Sequence, residues 1–186
     1  NDLAHIRNLE YYTTGKFMEL DLDARRNLEL TETMRSKEKK GTLLWVLDKT
    51  KTAMGKRKMR STIEKPLIHA TAINKRLNAV AELVNDSILL ADIRDSLSGI
   101  FDLERLITRI VYGNVTPREL KSLQFTAEKL PALKQLISNR SAAYLQEIHR
   151  EMDGLEDLCA LINEAIVDEP PALVRDGGMI KKGYNA

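Results

Sequence analysis

The feature that most limits the fold is a 3.6-residue apolar period that recurs along most of the chain. Ile73, Leu77, Val80, Ala81 and Val84 fall at helical offsets, with Lys75, Arg76 and Glu82 on other faces. Leu103, Leu106, Ile107, Ile110 and Val111 repeat the pattern with Arg105 and Arg109 turned outward, and Gly113-Asn114 supplies a stop. In "TPREL", Thr116 is a cap, Pro117 suits the first helical position and Glu119 completes a capping box. The helix starting there has Leu120, Leu123, Ala127 and Leu130 inside. Leu145, Ile148 and Met152 then give way at Asp153-Gly154 to Leu155, Leu158, Ile162 and Ile166, a run ended by Pro170-Pro171. The aromatic content of 5% fits a Leu/Ile-packed bundle. The expected fold is mainly α, a multi-helix bundle whose core includes Trp45, Leu77, Leu103, Leu106, Ile107, Leu120 and Leu123.

Two stretches break the helical rule. "KFMELDLDARRNLEL" offers short segments at 17–20 and 27–30 around a polar turn, and "LVRDGGMIKKGY" places Asp176-Gly177-Gly178 before a short apolar segment. They predict a small antiparallel β element formed near the N- and C-terminal ends. Between them, "GTLLWVLDKTKTAMGKRKMR" joins an apolar knot to a basic run. It reads as a structural corner: Leu43, Leu44, Trp45, Val46 and Leu47 anchor one helix, Thr52 caps the next, and Met54, Met59 and Ile63 continue the buried side.

Charge narrows the function classes. The net charge is only +2, which argues against a dedicated nucleic-acid binder, but its distribution is uneven. Residues 35–60 hold ten basic side chains against Glu38 and Asp48, whereas residues 145–169 hold eight acidic ones against Arg150. Solvated helix faces or contact with neighbouring domains account for such a split, and direct phosphate contact through Lys49, Lys51, Lys56 and Lys58 remains the alternative. No window approaches about 18 consecutive apolar residues, so no membrane span is expected. A single Cys159 excludes an internal disulfide framework and fits a reducing cytosol. The first residue is Asn1, from which the chain is expected to be a piece of something larger.

Most chemical motifs fail on inspection. Gly15-Lys16 and Gly55-Lys56 lack both the upstream glycine and the following hydroxyl of a phosphate loop. His5, His69 and His149 have no i, i+4 relation, so zinc finds no local ligand pair, and nothing orients His149 as a base toward Cys159. Glu156 and Asp157 are adjacent and splay around a helix. The expectation is that the isolated chain has no catalytic, nucleotide-binding or metal residues, no cofactor, and no ATPase or nuclease activity.

The stretch "YYTTGKFMELDLDARRNLELTETMRSKEKKGTLLWVLDKTKTAMGKRKMRSTIEKPL" resembles the opening of the core domain in the MutS family of DNA mismatch-repair proteins. "INKRLNAVAEL", "DLERLITRI", "PREL", "LPAL" and "DEPPALVRDGGMIKKGYN" follow in that domain's order. The resemblance spans nearly the whole chain, and its most recognisable parts are the "RRNLEL" turn and the "TAMG" junction. It implies a single core domain over 1–186: a lead-in helix from a connector domain at 1–15, short strands and a turn at 16–40, a helical bundle at 41–167, and a Pro/Gly-rich exit at 168–186 toward a lever and clamp. By the same resemblance the role is that of a structural and allosteric scaffold linking connector, clamp and ATPase parts. The parent protein is implied to be a bacterial cytoplasmic homodimer, nucleoid-associated in action, that binds duplex DNA and uses ATP with Mg2+; this fragment alone is expected to be monomeric. Phe17-Met18-Glu19 matches the family's mismatch-reading pattern by accident, since it lies within the core segment. Three readings stay open beside this one: a MutS-like paralogue not devoted to mismatch repair, against which "YTTGKF" speaks, a helical DNA-binding module using residues 35–60, and an adaptor binding a partner helix in an apolar groove.

Overall fold

The computed structural model describes residues 14–172 and 174–184. It divides into two compact units, Asn1–Asn78 and Ala79–Ala186. The lead-in helix expected at 1–15, and His5 with it, lie almost wholly outside the described residues; Thr14–Lys16 is a single 3-10 turn.

In the first unit, α1 (Leu22–Asn27) starts because the Asp21 carboxylate accepts the Ala24 amide at 2.6 Å. Arg25 and Arg26 in its last turn complement the helix dipole. It ends in a left-handed turn at Glu29 (φ 45°), where the Glu29 amide reaches the Arg26 carbonyl and the Leu30 amide the Arg25 carbonyl. That pair of bonds is a Schellman closure, usually built on glycine. It is the physical content of "RRNLEL", and it corrects the expectation of a strand pair there. Six helical residues closed by a glutamate carry little helical period and no glycine stop, so the run reads as extended in sequence.

The turn delivers the next helix. The carbonyls of Glu29 and Leu30 accept the amides of Leu43 and Leu44 at 3.2 and 2.9 Å, and the Thr42 hydroxyl accepts that of Trp45 at 3.1 Å. The first amides of α2 (Leu43–Leu47) are thereby satisfied. Helix α3 (Ala53–Glu64) is capped by Thr52, whose hydroxyl takes the Gly55 amide at 3.0 Å. A Cβ on Gly55 would lie 3.0 Å from that hydroxyl and 3.2 Å from the Thr50 Cβ, so "TAMG" needs glycine for close approach. Leu30, Leu44 and Ile63 form the buried cluster of this unit, flanked by Leu20 and Met59.

Helix α4 (Ala70–Asn85) carries the division between the units. Within the second unit follow α5 (Ser87–Leu97), α6 (Leu103–Val111), α7 (Pro117–Ala127), α8 (Leu130–Leu136), α9 (Ala143–Glu151) and α10 (Glu156–Ala165). Asp86 and Asp102 cap α5 and α6, a Schellman turn on Gly113 (φ 68°) closes α6, and the Thr116/Glu119 capping box opens α7. Helices α6, α7 and α10 bury Leu106, Leu123, Ile162 and Ala165, with Ile166, against Leu103, Leu120 and Leu158. A second cluster joins Ala79 and Leu83 of α4 to Ala142, Tyr144 and Leu145 at α9.

The expected antiparallel element uniting the two chain ends is not found among the described residues. Two isolated bridges stand in its place, Phe17 with Leu67 and Ile166 with Ile180, each inside its own unit. Three expected core positions also need correction: Trp45 is 47% exposed, Leu77 56% and Ile107 53%. Helix α2 has only five residues and one inward position, taken by Leu44. On α4 it is Ala79, not Leu77, that is buried, and on α6 it is Leu106.

Candidate functional site: a basic corner and a clamped helical cluster

The corner between α2 and α3 is held by polar groups. Thr42 is 1% exposed; its hydroxyl donates to the Lys39 carbonyl at 2.6 Å while capping α2. The Asp48 carboxylate, only 5% exposed, pairs with the Lys39 ammonium at 2.6 Å and accepts from the Thr50 hydroxyl at 2.6 Å. These two hydrogen bonds, Lys39 foremost, hold its carboxyl down at about 2. Of the lysines singled out in the sequence, Lys49 and Lys51 sit exposed in the linker, and Lys56 and Lys58 sit exposed on α3. Lys56 lines a cleft of about 220 Å³ shared with Thr31, Lys39, Leu44, Asp48, Arg57 and Arg60. A second cleft of about 220 Å³ is lined by Leu22, Arg25, Arg26, Thr31, Glu32, Arg60 and Glu64. Arg25 and Arg26 were not legible as part of this face. They lie outside the basic run and reach it through the α1 turn.

In the second unit the chain leaving α10 is tied back onto α7. The Val167 amide donates to the Met179 carbonyl at 3.0 Å and the Lys181 amide to the Ala165 carbonyl at 2.9 Å. Arg118 Nε of α7 donates to the carbonyl of buried Pro170 at 3.0 Å. Between α6 and α7, Arg109 Nε lies 3.1 Å from Glu119 Oε1. Burial pushes the Glu119 carboxyl up, and the Thr116 amide and hydroxyl with the Arg109 guanidinium outweigh it, so the net shift is downward. Burial, joined by the carboxylates of Glu128, Asp157 and Glu156, pushes the Cys159 thiol up, which disfavours the thiolate a nucleophile needs. Among the described residues no group of three or more His, Cys, Asp or Glu could hold a metal ion. No described helix is long and apolar enough to cross a membrane.

The sequence that builds these parts is similar to sequences of known proteins. A family model described as MutS domain III covers residues 23–185. The chain belongs to that family. It is 50% identical over 183 residues to the DNA mismatch repair protein MutS of Alkaliphilus oremlandii, covering 98% of this chain and 21% of the relative. The MutS of Lachnoclostridium phytofermentans is 46% identical over 185 residues, with 100% and 20% covered. That of Brevibacillus brevis is 45% identical over 183 residues, with 98% and 21% covered. The chain thus spans about a fifth of the length of these curated relatives. As a MutS domain III, it is a mainly helical core segment, and the Leu106/Leu123 cluster and the exit clasp both lie inside the matched range.

Proposed function

We infer that this domain III acts as the structural and allosteric scaffold of a DNA mismatch-repair protein, joining connector, clamp and ATPase parts. The clasp on the exit segment carries this reading. Because Ala165, Val167 and Pro170 are bonded to Lys181, Met179 and Arg118, a displacement of the chain beyond residue 180 acts on α7 and α10 as packed bodies and not on a slack linker. The relatives are DNA mismatch repair proteins, which supports DNA as the ligand of the larger protein, with ATP and Mg2+ belonging to its other parts.

The test is Leu106→Ala, which opens a cavity at the centre of the α6/α7/α10 cluster. In this chain it is expected to cost about 2–5 kcal/mol by denaturant unfolding, against less than about 0.5 kcal/mol for the exposed neighbour Ile107→Ala. In the longer protein Leu106→Ala is expected to weaken DNA stimulation of ATP hydrolysis while leaving basal nucleotide affinity nearly intact. Undiminished DNA stimulation in a protein shown to be destabilised would sink the scaffold reading.

A further inference from the structure

We propose that the two clefts meeting at Arg60 form a contact site for the sugar–phosphate backbone of a nucleic-acid duplex, centred on Arg26, Lys56 and Arg60 and excluding most of the lysine run beside it. The clefts share Thr31 and Arg60 as walls and so adjoin one another within the first unit. Six cations line them, Arg25, Arg26, Lys39, Lys56, Arg57 and Arg60, against the three carboxylates Asp48, Glu32 and Glu64. Counted over these lining residues alone the difference, six minus three, is +3, Arg57 having a further partner of its own. The carboxylates are already engaged: Asp48 with Lys39 at 2.6 Å, Glu64 with Arg60 at 2.9 Å, and Glu32 with Lys37 at 3.1 Å. Arg26 and Lys56, one on each cleft, have no side-chain partner among the described residues. An anion placed there meets charge that no pair among the described residues has neutralised.

The dimensions choose among anions. Each cleft, at about 220 Å³, falls below the roughly 300–1,000 Å³ of small-molecule sites. A cleft of that size suits a phosphate group better than a whole enclosed nucleotide. No aromatic ring lines either cleft, so there is no platform on which a base could stack. Contacts of this kind position a duplex without reading its sequence. That the phosphates are those of DNA rests on the proposed function above; that they form a repeating backbone rests on two small cationic clefts side by side. Lys49, Lys51 and Lys58 line neither cleft.

The experiment titrates a fluorescent duplex with this chain from about 50 to 200 mM salt, where each phosphate contact contributes a slope near 0.9 in log K against log salt. Arg26→Gln with Lys56→Gln is compared with Lys49→Gln with Lys58→Gln, which removes the same charge from positions outside the clefts. The first pair is expected to weaken binding about tenfold at the low-salt end and to lower the slope by about 2. The second is expected to stay within about twofold of the unaltered chain, and matched and mismatched duplexes should bind alike. Equal losses from the two pairs would reduce the site to generic charge and overturn the proposal, as would the absence of duplex binding at low salt. Displacement of the duplex by inorganic triphosphate at matched phosphate concentration would reassign the clefts to a small anion and overturn it too. None of these failures touches the scaffold reading, which is read through Leu106 and ATP hydrolysis.

Discussion

Asp48 carries an acid sensitivity built into the corner. Its carboxyl is held at about 2 by the Lys39 ammonium and the Thr50 hydroxyl, against 3.8 for an unperturbed aspartate. A depressed folded-state value means that the stabilisation is complete above the unfolded value and is lost as pH falls through the folded one. The window is therefore from about 4 down to about 2. Asp48→Asn is expected to lower stability near neutrality and to converge with the unaltered chain across that window, as followed by chemical denaturation at stepped pH. A constant gap between the two down to the lowest pH would show that the Lys39 pair contributes nothing. The same scale shows where sequence reading stops. Periodicity groups residues that share a face of a helix, but Trp45, Leu77 and Ile107 show that it does not say which side of that face is covered. Thr42 was readable in principle, since a threonine stands directly before the apolar run of "TLLWVL", while the burial of Asp48 depends on Lys39 arriving from nine residues upstream.

Among the helices, α9 depends on another element for its start. Ala142 at its cap position offers no side-chain acceptor. Glu82 of α4 supplies one: its carboxylate takes the Ser141 amide at 2.9 Å, the Ala142 amide at 2.6 Å and the Ser141 hydroxyl at 3.1 Å. These amide bonds, that of Ser141 first, hold its carboxyl below the usual glutamate range. Glu82→Ala leaves two helix-end donors without their acceptor, and faster hydrogen exchange at Ser141 and Ala142 is the expected result, with the α6/α7 amides unchanged. Unaltered exchange at those two positions would mean that water replaces the carboxylate at no cost. The contrast with α7 is instructive about legibility. Its capping box lies within four consecutive residues and is read directly from "TPRE", whereas the cap of α9 spans 59 and 60 positions and leaves no local trace.

At the scale of the whole molecule, the helical class and the family were legible because both are written in local patterns repeated over the chain. That the described residues hold isolated bridges and no sheet joining the ends was not, since bridges and short strands present the same few apolar residues. The two units also differ in what they bury. Among the described residues the first has one cluster of three buried apolar side chains, Leu30, Leu44 and Ile63, and the second has two clusters that include Leu106, Leu123, Ile162 and Leu145. Opening free energy follows buried contact, so amides of α2 and α3 are expected to exchange before those of α6, α7 and α10 in native-state hydrogen exchange. The reverse order would place the more resistant fold in the smaller cluster. The Glu29 turn bears on how such a chain comes into being. A five-residue helix does not persist alone in water, and α2 takes its first two acceptors from Glu29 and Leu30, which precede it by fourteen residues. On a translating ribosome the acceptors therefore emerge before the donors that need them, and the corner assembles in the order in which it is synthesised, with Ile63 arriving last to close it.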